Sequence, residues 1–195
     1  MKILIRVLLA GVFAATTVSA LRANDTFKID AARSTIAFGV HQFVGTTKGK
    51  FTQFSGIIDI DREHPERSSV EAKIQANSID TGIRKRDDHL RSAEFFNVTN
   101  YPRISFKSRT IKQTGPQSGD IVGDLNMHGV TKPITLHVKL LTPIGASMER
   151  SRWEVTTDPL KRRDFGLMFS ATAEALSGIG QDVSIDIQIE ATKAR

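Results

Sequence analysis

The sequence predicts an all-β fold, an extended antiparallel barrel of about eight strands with one short helix near residues 83–94. Three observations point there. Nearly every apolar stretch alternates with a period of two, short turns rich in Gly, Pro and Ser separate the stretches, and no strand–helix–strand rhythm interrupts them. Closing the sheet removes the open edges that so much antiparallel strand would present; a two-sheet sandwich is the alternative.

The elements follow in order. Residues 34–41, STIAFGVH, place Ile36, Phe38 and Val40 on one side of a strand. A second extended stretch runs through Phe51, Phe54 and residues 56–61, with Gly49 and Gly56 expected at bends or bulges. After a polar turn around Pro65, Val70, Ala72, Ile74 and Ala76 alternate with Glu71, Lys73 and Gln75. Residues 84–94, RKRDDHLRSAE, supply the helix. Asp87 and Arg91 stand four apart with the acid first, a favourable surface ion pair, and Ile83, Leu90 and Ala93 form one apolar stripe. Pro102 biases Tyr101 away from helical geometry and marks the boundary to the next strand.

Ile104, Phe106 and Ser108 begin that strand, and the turn Gly115-Pro116-Gln117-Ser118-Gly119 folds it into a hairpin with residues 121–127. The tight link at His128 and Gly129 makes a second hairpin, with Ile134, Leu136, Val138 and Leu140 on its apolar side. Weaker strands are expected at 153–157 and 165–172. The last strand alternates cleanly through Val183, Ile185, Ile187 and Ile189.

At 195 residues, 39% hydrophobic and 25% charged, the chain has the composition of one globular domain with a core of its own. It has no Cys, so neither a disulfide nor a lipidated thiol is available and core packing must stabilise it. A net charge of +6 raises nucleic acid as a partner. Only one Trp and one Tyr accompany eleven Phe, however, and no nucleic-acid motif appears, so none is expected.

The first residues read as an export signal: a basic start at Lys2 and Arg6, an apolar run over 7–15, and a small-residue cleavage site at Val18-Ser19-Ala20. Cleavage is expected after Ala20, or else after Ala23, leaving a domain over 24–193 in the periplasm or secreted. No later stretch approaches ~20 consecutive apolar residues, so no transmembrane segment is expected in the mature chain.

Motifs of catalysis are missing from the sequence: no Cys nucleophile, no G-x-S-x-G elbow, no H-E-x-x-H, no phosphate loop. The five His residues, at 41, 64, 89, 128 and 137, include no i, i+4 pair, and no metal or cofactor is expected. His41 falls on the parity opposite to Phe38 and Val40, which favours a structural hydrogen bond. Asp87 and Asp88 are adjacent on a helix, point apart and cannot share a proton. Asn97-Val98-Thr99 is a glycosylation sequon of the kind common by chance.

The order of residues resembles the YceI-like family of lipid- or polyisoprenoid-binding proteins from about Phe27 to Ala191. The resemblance is carried by Ile29-Asp30, Ser34, Phe38, Val40 and His41; by Gly49, Phe51, Phe54 and Gly56; and most specifically by Thr81, Arg86-Asp87, His89-Leu90-Arg91-Ser92, Phe95-Phe96, Tyr101-Pro102 and Phe106. Val122-Gly123, Leu125, residues 129–133, Arg162, Asp164-Phe165-Gly166, Gly180, Val183 and Ile185 complete it. Two positions depart: Arg33 stands where the family commonly has His, and Ala31 where it has Pro.

This resemblance implies a lipocalin-like barrel, an export signal, and an apolar tunnel for a long-chain isoprenoid or similar amphiphile; homodimers are also known in the family. Periodicity alone leaves open whether the interior is hollow or filled. If hollow, the wall is expected at Phe38, Val40, Phe51, Phe54, Phe106, Leu136, Val138 and Phe165, for each of which a plain core contact is the alternative. Asp87 and Arg162 are expected to hold the helix or loops to the barrel. A binding protein without catalysis is the reading; an enzyme or accessory factor of isoprenoid or quinone metabolism, or a stress-related protein on anionic membrane surfaces, are the alternatives.

Overall fold

The alternating stretches pair into one antiparallel ladder. The computed structural model describes residues 24–43, 45–142, 149–170, 172, 174 and 178–194; the expected signal peptide lies outside them. The strands are β1 (Asp25–Ile29), β2 (Thr35–His41), β3 (Thr46–Phe51), β4 (Phe54–Ile60), β5 (Ser69–Gln75), β6 (Ile79–Asp80), β7 (Arg103–Gly115), β8 (Ser118–Met127), β9 (Val130–Leu140), β10 (Arg150–Thr157), β11 (Leu160–Lys161) and β12 (Asp182–Lys193). Helix α1 (Arg84–Arg91) lies between β6 and β7.

These segments form the eight strands of a closed antiparallel barrel, with β11 a short addition beside β12. β1 and β2 share one edge of β12, β4 and β3 follow on their far side, and β5 and β6 come next. Each of these three pairs is therefore one strand with a corner in it. β7, β8, β9 and β10 continue in chain order, and β10 pairs with the other edge of β12. The result is an up-and-down meander closed through β12, the closure expected from the sequence, with β6 paired on one side only, to β3.

Backbone groups that leave the ladder at a corner need other partners, and short hydroxyl side chains supply them. Ser34 Oγ donates to the Glu190 carbonyl at 3.2 Å and accepts from the Glu190 N–H at 3.0 Å. Ser78 Oγ donates to the Gln75 carbonyl at 2.7 Å, and the Ser78 carbonyl accepts from the Thr52 N–H at 3.1 Å. At the seam between β1 and β12, Asp25 pairs with both Lys193 and Arg62.

The strand directions give the barrel two distinct ends. Helix α1, the junction of β2 with β3, and the His128–Gly129 turn sit at one, the helix end. His128 and Gly129 have φ of 52° and 76°, the doubly left-handed geometry of a two-residue hairpin turn. The 61–68 turn and the Pro116–Gln117 turn sit at the other, the hairpin end.

Three expectations are corrected. The described residues among 165–172 form no strand: a 3-10 turn over Arg162–Phe165 ends at Gly166 with φ of 71°, because the chain must fold back over the barrel end. Gly49 and Gly56 are not bulges, since both sit in regular register opposite Phe38 and Ala72; the register shifts lie between β7 and β8. On α1, Ile83 is 52% exposed and Asp87 is buried, so the apolar stripe is narrower than expected and Asp87 forms no surface pair with Arg91. Arg91 pairs instead with Asp88.

Candidate ligand site

Every strand turns one face inward, and the inward faces enclose a cavity of about 530 Å³. That is within the range of roughly 300–1,000 Å³ usual for small-molecule sites. The interior is hollow rather than filled. Phe38, Val183, Ile185 and Ile187 point inward yet are only half-buried, because what they lack is neighbours across the lumen.

Seven of the eight wall candidates border this cavity: Phe38, Val40, Phe51, Phe54, Phe106, Leu136 and Val138. The structure places Phe165 elsewhere. It is 2% exposed in the packed layer at the helix end, and its carbonyl lies 3.2 Å from His128 Nδ1. Its role as a wall residue assumed a strand there, and the 3-10 turn points the ring into packed side chains instead.

Sequence reasoning missed the aromatic closure of the helix end. Phe169 stacks on Phe95 with ring centroids 4.5 Å apart, Phe95 meets Phe96 edge-on at 5.3 Å, Phe96 meets Phe51 at 6.1 Å, and Phe51 meets Phe38 at 5.6 Å. The Phe95-Phe96 pair after the helix was the available signal. Two glycines were also missed as wall elements. A Cβ at Gly49 would fall 2.4 Å from Phe38 Cζ, and one at Gly123 would fall 2.4 Å from Phe106 Cζ. Both rings thus lie down over backbone that carries no side chain, and the lumen beside them stays open.

Polar groups gather at the two ends. Arg162 is 3% exposed and donates to the carbonyls of Leu167 and Gly180, each at 2.9 Å, and to Glu174 Oε1 at 2.6 Å. Arg163 reaches the other Glu174 oxygen. The Arg162 hydrogen bond, then that from Arg163, holds the Glu174 carboxyl down at about 2 against the opposing effect of burial. Asp87 Oδ1 accepts from Thr81 N–H at 2.9 Å and from Thr81 Oγ1 at 2.5 Å, tying the start of α1 to the end of β6. Asp87 and Arg162 therefore occupy the holding positions expected of them. His41 Nδ1 lies 3.1 Å from Thr46 Oγ1 across the β2–β3 hairpin, a structural contact. Among the described residues no three His, Cys, Asp or Glu side chains come together in a way that could hold a metal ion.

A closed antiparallel barrel around an apolar lumen defines the lipocalin-like class of barrels, in which eight strands leave room for one small ligand. The YceI-like domain model matches residues 27–191. Protein YceI of Salmonella newport strain SL254 is 32% identical over 185 residues, covering 92% of each chain, and that of Salmonella agona strain SL483 is 33% identical over the same span. The chain belongs to the YceI-like family. Among solved structures, Burkholderia cenocepacia BcnA superposes with a TM-score of 0.76 at 23% identity, covering 84% of this chain and 99% of that one. The Campylobacter jejuni YceI protein gives 0.67 at 25% identity, with 80% and 90% covered. A polyisoprenoid binding domain from Saccharophagus degradans gives 0.66 at 20% identity, with 86% and 98% covered.

Proposed function

We propose that this protein is an exported binding protein that holds the hydrocarbon tail of a long-chain isoprenoid or similar amphiphile inside its barrel. The observation that carries this is the apolar cavity of about 530 Å³. A lumen of Phe, Ile, Leu and Val removes a hydrocarbon chain from water and needs few polar groups to do so. About ten CH₂ groups at ~0.8 kcal/mol each give ~8 kcal/mol, roughly micromolar affinity before ordering costs. The polyisoprenoid binding domain with the same fold supports an isoprenoid tail. The basic, apolar and small-residue order of residues 1–20 supports export to the periplasm. Binding without catalysis is supported by the distribution of ionisable groups: those bordering the lumen lie at its two ends, and the wall between carries none.

Uptake of a fluorescent fatty probe by the lipid-stripped protein tests this reading. The wild type is expected to bind it with micromolar or tighter affinity. Phe38→Asp and Phe106→Asp, which place a carboxylate among apolar groups, are expected to lose uptake, whereas Phe38→Leu retains it. Unchanged affinity in both Asp variants, with normal circular dichroism, contradicts the wall assignment.

A further inference from the structure

Five ionisable side chains border the lumen, and their partners set one apart. At the hairpin end Arg62 Nε donates to Asp25 at 2.5 Å, and Asp61 accepts from the N–H groups of Glu63 and His64. At the helix end Arg162 is paired with Glu174, and His89 Nε2 stands 2.8 Å from Glu94. Arg86 alone of the three arginines has no carboxylate partner among the described residues. Its Nε donates to Thr81 Oγ1 at 2.7 Å and its Nη2 to the Thr81 carbonyl at 2.9 Å.

Thr81 is itself held from behind. Its hydroxyl and N–H both donate to the buried Asp87 carboxylate, which turns the hydroxyl lone pairs toward Arg86. The guanidinium is thus fixed at the cavity's end through Nε and Nη2, and Nη1 is left for another acceptor. Arg86 is half-buried beside apolar walls, and among the described residues it meets a carboxylate only through the Thr81 hydroxyl that it shares with Asp87. Guanidinium geometry suits a phosphate or carboxylate better than a neutral oxygen.

We infer that Arg86 receives an oxyanion head group, phosphate or carboxylate, of the amphiphile whose tail occupies the lumen, so that the ligand lies with its head toward α1. Thr81 and Asp87 are positioning residues for that contact. The inference rests on the tail-binding reading above.

Dodecyl phosphate, dodecanoate and dodecanol share one tail and separate the two readings when titrated calorimetrically into the lipid-stripped mature chain. The wild type is expected to bind the two anions about tenfold or more tighter than the alcohol, a preference that falls as salt rises. Arg86→Gln is expected to bring the ratio near one while leaving dodecanol affinity within about twofold, Arg86→Lys to keep part of it, and Thr81→Val to lower it in part. Arg62→Gln, at the opposite end, is expected to leave it intact. Whichever anion binds tighter identifies the head group, and either result supports the inference. If Arg86→Gln does not fold, the wild-type ratio with its salt dependence and the Thr81→Val ratio decide. A wild-type ratio of one, a ratio that survives Arg86→Gln, or one lost in Arg62→Gln overturns the head-group assignment while dodecanol binding preserves the tail reading. Failure of all three probes to bind overturns both.

Discussion

Phe38 and Gly49 face each other across β2 and β3 and together decide how wide the lumen is at that level. The alternation of Ile36, Phe38 and Val40 made the inward face of β2 legible, since period-two patterning depends only on neighbours in the chain. The use of Gly49 was not legible. A glycine within a strand pattern signals either a bulge or a close approach, and which one depends on a ring contributed by another strand. Gly49→Ala is predicted to push the Phe38 ring off the wall and into the lumen. A fluorescent fatty probe should then bind about tenfold more weakly, with the fold retained by circular dichroism; unchanged affinity and unchanged stability would show that the ring has another place to go.

Helix α1 is an element that cannot stand alone. It has eight residues, no side-chain cap at Ile83, and Arg84, Lys85 and Arg86 in its first turn, where the helix dipole disfavours cations. It is held by its neighbours: Asp87 takes both Thr81 donors, and Arg91 donates to the carbonyls of Asn77 at 2.8 Å and Ile79 at 2.6 Å. The helix itself was legible from its charged, helix-favouring residues. The direction of Asp87 was not, because spacing offered Arg91 as a partner while the preceding loop offered two donors in a buried site. Asp87→Ala is predicted to leave the Thr81 N–H without its acceptor and to lower stability by about 1–3 kcal/mol in urea unfolding. A loss below about 0.5 kcal/mol would mean that the contact is dispensable.

The segment after β11 depends in the same way on Glu174. Its folded pKa of about 2 lies below the ordinary 4.5, so its contribution is complete above 4.5 and disappears as pH falls through about 2. Glu174→Gln should melt below the wild type at neutral pH, with the gap narrowing between pH 4.5 and 2. A gap constant across that range would show that the Arg162 and Arg163 contacts do not favour the charged form.

For the whole molecule, closure was legible and hollowness was not. Antiparallel alternation with short turns points to a sheet that closes on itself, and β12 does close it by pairing with β10 on one edge and with β2 and β1 on the other. Alternation cannot tell whether inward side chains meet in the middle, because that depends on the barrel's radius and on where glycines let rings lie flat. The misassigned Phe165 has the same origin: a basic and apolar stretch read locally as strand, whereas its position over the barrel end made it a turn. The proposed occupant of this open lumen is the tail of an amphiphile. Native mass spectrometry of the protein purified from its own host tests it most directly. The expected result is a non-covalent adduct that organic extraction removes and identifies as a long-chain isoprenoid or similar lipid. A protein that carries only its polypeptide mass, and that after extraction takes up no apolar probe, would contradict it.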